Sequence, residues 1–348
     1  MTWILQPLAG CDTMIAMESY IALATWPVIG HDWAVDLLRH VVAAGRPPHA
    51  LLITGPPNVG KGTLARSLAQ ALLCTDVQRP CGMCRACHLV TTGNHPDLRW
   101  VEPQAGSLKI AQIRDLTRQL NLSPLEGPWQ IAILDRFELA TPGAANALLK
   151  TLEEPPPSVI LVLLAQQAEA LLPTIVSRCQ IIALRPIPRA IIERMLVERW
   201  QVPPEKAHLL SHICGGRLGW AISAAGSPEL LEHRTQRLDD LVKLLHSRRV
   251  DRFAYAESLA RENTESVLDT LELWMGWWRD LLLLASRSPV PLMNIDRQTE
   301  LDRMVELCDL NVTHSALAAL QTTVDQMAHN ANTRLTLEVL LLDLPFLA

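Results

Sequence analysis

Gly55-Pro56-Pro57-Asn58-Val59-Gly60-Lys61 spells G-x-x-x-x-G-K, a spacing suited to holding phosphate. Its glycines let successive backbone N–H groups curl around an anion, a following helix N-terminus adds partial positive charge, and the lysine adds a full one. The next residue would normally offer a hydroxyl to Mg²⁺. Here it is Gly62, and Thr63 comes one place late, about 100° further around a helix. Phosphate binding is therefore expected, and metal-assisted hydrolysis is in doubt. Asp135 ends the apolar run Ile131–Leu134 and is the candidate outer partner of Mg²⁺. A hydrolytic site also wants an adjacent carboxylate to orient water, but position 136 is Arg. Glu138, two residues further on, cannot be assumed to replace it.

A second constellation is Cys74, Cys81, Cys84 and Cys87, spaced C-x6-C-x2-C-x2-C. Tetrahedral Zn²⁺ takes four thiolates, and C-x2-C turns, shaped here by Pro80 and Gly82, present two sulfurs to one ion. Iron–sulfur spacing overlaps, yet no proline follows Cys87 as in the ferredoxin run. His88 could replace one ligand, though the fourth cysteine makes that unnecessary. Four ligands leave no open coordination position, so one structural zinc is expected. Cys11, Cys179, Cys214 and Cys308 are scattered and read as small core or incidental residues.

These groups need elements to hold them. Ala50–Thr54 reads as a strand entering the phosphate loop, and Lys61–Leu73, with Leu64, Leu68 and Leu72 four apart, as the helix leaving it. A helix at His31–Ala44 precedes them. Strands are expected at Leu98–Glu102, Gln130–Leu134, Val159–Leu164 and Ile181–Leu184. Helices between them carry Ile110–Leu120, Gly143–Leu152 and a short turn near Leu171–Val176. Such alternation predicts an α/β core, a parallel sheet covered on both faces. Beyond Pro186 and Pro188 only helices are legible: Ile191–Trp200, Glu205–Ile213, one starting at Arg217, and a long apolar-rich block over 228–348.

With 348 residues, 49% hydrophobic and 19% charged, the chain can build two or three cores and is no disordered or fibrous sequence. A net charge of −5 argues against a stand-alone basic nucleic-acid binder. No apolar run approaches the roughly 20 residues of a membrane span, and no signal-peptide pattern heads the chain, so a cytoplasmic protein is expected. Residues 1–20 lack periodicity and are expected to be a disordered or mis-called extension.

The phosphate loop, the four-cysteine insert after its helix, Ala144–Pro156 (AANALLKTLEEPP) and Ser177-Arg178-Cys179 occur in an order that resembles the clamp-loader branch of the AAA+ ATPases, in bacterial DNA polymerase III, over about residues 26–225. Val28-Ile29-Gly30-His31 resembles the stretch that cups the adenine in this family. The resemblance implies an AAA+ core over 21–186 with its zinc insert at 74–87, a helical lid over 187–226 and a helical collar over 227–348. It implies ATP or ADP, with Mg²⁺ in doubt, on Val28, Ile29, Gly55, Asn58–Thr63 and Asp135. Its partners would be gamma/tau and delta subunits in a hetero-pentameric ring that places a sliding clamp on primed DNA. Arg178 would be an arginine finger acting on a neighbour's nucleotide.

Gamma/tau motors keep a Thr, a Glu and a lid Arg. Here those positions hold Gly62, Arg136 and Gly219, with Arg217 two places early, and the sensor position, usually Thr, holds Gln166. The chain is also short for tau. These departures, with Trp277-Trp278-Arg279-Asp280-Leu281, resemble the delta-prime type, a ring-organising stator with weak or absent ATPase. The alternatives are a gamma/tau-type motor and an AAA+ ATPase of another DNA transaction.

Overall fold

The computed structural model describes residues 26–328 and 331–347, so the expectations for residues 1–20 and Cys11 lie outside it. The chain divides into two compact units, with the boundary between Ile187 and Pro188.

In the first unit, α1 (Asp32–Ala43) precedes β1 (Ala50–Thr54), and α2 (Lys61–Leu73) and α3 (Arg85–Thr91) follow it. Then come β2 (Leu98–Val101), α4 (Ile110–Leu120), β3 (Gln130–Leu134), α5 (Pro142–Glu153), β4 (Val159–Ala165), α6 (Pro173–Val176) and β5 (Gln180–Ala183). The five strands form one sheet in the order β2-β3-β4-β1-β5, and every pairing is parallel. The mostly apolar strands β1, β3 and β4 occupy its centre and are buried along their whole length. The mixed strands β2 and β5 take the edges, where one side meets no neighbouring strand. Leu52, Leu134, Leu161 and Leu163 pack with Ile113, Leu116, Leu148 and Leu152 of α4 and α5. Fully burying each such side chain stabilises the fold by roughly 1.5–3 kcal/mol.

Strand register decides what can meet. Thr54 pairs with both Ala165 and Ala183, so the carboxyl ends of β1, β4 and β5 finish flush. Leu134 is level with Leu163, so Asp135 emerges at the same edge, one strand removed from the phosphate loop. Ligands of open parallel sheets bind at such carboxyl edges.

Every strand expected from the sequence is present, with ends moved by at most one residue. Helix α3 was not foreseen: its seven residues lie among the cysteines and are too few to show a period.

The second unit, 188–347, contains no strand among its described residues. Helices α7 (Arg189–Trp200), α8 (Pro204–Ile213) and α9 (Leu218–Gly226) are followed by α10 (Pro228–Leu245), α11 (Arg249–Leu259), α12 (Thr264–Ala285), α13 (Gln298–Val305), α14 (Leu310–Ala328) and α15 (Thr333–Asp343). Trp274, Trp277 and Trp278 of α12, spaced three and four apart, are fully buried at the centre of its core.

Candidate functional site

Gly55 begins the phosphate loop with φ +146°, where a Cβ would stand 2.6 Å from the Leu184 carbonyl oxygen, so only glycine fits. Its N–H donates to the Gln166 carbonyl at the end of β4, 3.0 Å away, fixing the loop to the sheet. Gly60 (φ +112°) supplies the second reversal and caps α2. Buried Val59 anchors the loop from below, and its carbonyl accepts from His31 Nε2 at 3.1 Å. That bond ties the Val28–His31 stretch to the loop. Burial pushes the His31 imidazole down from its usual range, against the raising pull of the Val59 carbonyl and Asp32.

Lys61 Nζ turns back into the loop and donates to the carbonyls of Gly55 and Pro56, at 2.6 and 2.8 Å. Burial pushes its ammonium down, against the pull of Glu138 and Asp135. Asp135 Oδ1 accepts from the Arg136 N–H at 3.0 Å, and Arg136 takes a left-handed conformation, φ +46°. The 3₁₀ turn Phe137–Leu139 that follows, pinned by buried Phe137, sends the Glu138 carboxylate into the field of Lys61. Its Oε2 is buried without a hydrogen-bond partner, and burial pushes the carboxyl up from its ordinary range. Sequence reasoning left Glu138 outside the site; the structure brings it in. Its signal was the spacing Asp-x-x-Glu, which one 3₁₀ turn converts into proximity.

A Cβ on Gly62 would find the Trp100 ring 3.5 Å away, an ordinary contact, so nothing steric excludes serine there. Thr63 is exposed on α2. Arg217 is the N-cap residue of α9, and its guanidinium pairs with Glu272 at 2.7 Å. Gly219 is the second residue of that helix.

The four sulfurs lie within 4.8 Å of one another. Cys74–Cys81, Cys74–Cys84 and Cys81–Cys87 stand 3.6, 3.8 and 4.0 Å apart. Sulfurs 2.3 Å from one central ion at tetrahedral corners would be about 3.8 Å apart, so the cage fits a single metal ion. Amides support it: Cys84 N–H donates to Cys81 Sγ and Cys87 N–H to Cys84 Sγ. Burial raises the Cys84 thiol, but the Cys87 and Thr75 amides outweigh it and bring it down to about 6. Burial pushes the Cys74 and Cys87 thiols up. His88 is exposed and outside the cage. Gln70 of α2 donates to the Cys87 carbonyl and to Thr91, docking this lobe on the helix that leaves the phosphate loop.

Arg178 follows α6, one third exposed, and pairs with Glu153 Oε1 at 2.8 Å. Val28 is buried and Ile29 half-buried.

The DNA polymerase III, delta subunit family matches residues 30–188. DNA polymerase III subunit delta' of Bacillus subtilis is 31% identical over 314 residues, covering 88% of this chain and 94% of that one. The chain belongs to the DNA polymerase III delta-prime family. The Pseudomonas aeruginosa delta' subunit is 33% identical over 262 residues, covering 73% of this delta-prime family chain and 76% of the relative. DNA polymerase III subunit tau of B. subtilis is 30% identical over 258 residues, 70% of this chain but 45% of tau. A gamma subunit-related protein of Thermotoga maritima superposes with a TM-score of 0.41 at 19% identity, over 89% of this chain and 97% of that one. The chain itself has a parallel α/β core that carries the phosphate loop, followed by helices. Among its described residues no helix is long and apolar enough to cross a membrane.

Proposed function

We propose that this chain is the stator of a bacterial DNA polymerase III clamp loader. It organises a hetero-pentameric ring with gamma/tau and delta subunits, and the ring places a sliding clamp on primed DNA in the cytoplasm. The chain binds ATP or ADP on Gly55–Thr63 and hydrolyses it weakly or not at all. Residues 187–226 serve as lid and 227–348 as collar, and Arg178 reaches a neighbour's γ-phosphate. One zinc sits on Cys74, Cys81, Cys84 and Cys87. The supporting observation is a phosphate loop whose hydrolytic neighbours are replaced. Gly62 has no hydroxyl, Arg136 stands where the acid that orients water would be, and Arg217 is committed to Glu272.

Purified chain is expected to turn over ATP near background, because losing such groups costs several powers of ten. Mixing with gamma/tau and delta should restore turnover in the assembly. Motor-like turnover by the chain alone, abolished by Lys61→Ala, would overturn the stator reading. Glu138, whose Oε2 is buried in the field of Lys61, favours a second reading, a gamma/tau-type motor, and the same assay decides between them.

A further inference from the structure

Two stretches of sequence that look unrelated meet at one ion pair. Glu153 is the last residue of α5, in the Leu149–Pro156 stretch, and Arg178 follows α6, 25 positions later. Arg178 Nη2 lies 2.8 Å from Glu153 Oε1, while Nη1 donates to the Thr174 carbonyl at 2.8 Å and to Ser177 Oγ at 3.4 Å. An acid at a helix C-terminus faces the negative end of the macrodipole and is disfavoured there unless a cation answers it. The Arg178 guanidinium is that cation. The side chains are 35% and 51% exposed, so water screens the pair and it contributes little to folding. Its effect must lie elsewhere.

We propose that Glu153 is the positioning residue of Arg178. A free arginine samples many rotamers, and each must be given up before a phosphate can be engaged. Glu153 and the Thr174 carbonyl restrict that freedom beforehand. Nη1 is taken by Thr174 and Ser177 and the Glu153 carboxylate lies against Nη2, which leaves Nε–H and part of Nη2 for an anion outside the chain. Glu153 touches no nucleotide; it acts through Arg178, and the proposal therefore rests on the reading that Arg178 works in trans.

The test uses the loader reassembled from its subunits, with Glu153→Gln, Arg178→Ala and the double variant. Glu154→Gln serves as the neighbouring control, and ring assembly and zinc content are checked for each. Arg178→Ala sets the floor of clamp- and DNA-stimulated ATP turnover. Glu153→Gln should lower kcat several-fold, most of the way to that floor, with KM for ATP within two-fold of the parent. Glu153→Asp, which keeps the charge on a shorter stem, should recover part of the rate. The double variant should be no slower than Arg178→Ala, because Glu153 has no other route to the reaction. If Arg178→Ala is slow while Glu153→Gln turns over normally or faster, or if the double variant falls below Arg178→Ala, the positioning role is wrong. If Arg178→Ala itself runs at the parent rate, the trans-arginine reading falls, and this proposal with it.

Discussion

Glu138 is the residue whose placement changes the electrostatics of the phosphate loop. An entering phosphate would meet Lys61 and, beside it, a carboxylate with a buried oxygen that has no hydrogen-bond partner. Two like charges about 8–16 Å apart at an effective dielectric of 20 repel by about 1–2 kcal/mol. Glu138→Gln should therefore strengthen Mg²⁺-free ADP binding by about 5- to 30-fold, read by titration calorimetry. Because burial raises this carboxyl, the parent's affinity should climb as pH falls toward it, while the variant lacks that contribution. Weaker binding in Glu138→Gln would show that Glu138 helps to hold the nucleotide.

At the scale of elements, two polar clamps shape the side of the core that carries the cysteines. The four thiols close the excursion between α2 and α3, so Cys84→Ser should release the metal and loosen that lobe while nucleotide binding at Gly55–Lys61 persists. Elemental analysis of reduced protein checks this, and finding iron or no metal would contradict the zinc assignment. Asp97, 1% exposed, accepts the N–H groups of Leu125, Glu126 and Gly127 at 2.6, 2.8 and 2.8 Å. Burial alone would raise its carboxyl, yet the three amides outweigh it and the net shift is downward. A lowered carboxyl stabilises the fold above the unfolded value of about 4 and loses that contribution as pH falls through the folded value. Asp97→Asn should cost about 1–3 kcal/mol at pH 7. In denaturant titrations the gap from the parent should narrow on acidification below pH 4.

For the molecule as a whole, the second unit has an unusual closing device. Arg252, 4% exposed, pairs with no acid among the described residues; it donates to the carbonyls of Leu244, Leu341, Leu344 and Pro345 at 2.6–3.0 Å. It thereby satisfies the end of α15, whose last carbonyls have no partner within the helix. Arg252→Met keeps the bulk but strands those carbonyls, and about 3–5 kcal/mol of stability should be lost from residues 228–347. Hydrogen exchange should show the loss over 333–347, with residues 26–187 unaffected.

The sequence by itself determined the strand and helix alternation of the core, because buried central strands such as Val159–Ala165 must be continuously apolar and phosphate loops must bend at glycine. It also marked the four cysteines, since ligand spacing is local. Other features depend on pairs of residues distant in the chain, and no local pattern encodes such pairs. The strand order puts β1 between β4 and β5, and so brings Gln166 and Leu184 against Gly55. His31 reaches Val59 across 28 positions, and Arg178 finds Glu153 across 25. Glu138 shows the limit at short range. Three residues from Asp135, it is inside or outside the site according to one 3₁₀ turn, whose direction is set by where Phe137 can bury its ring.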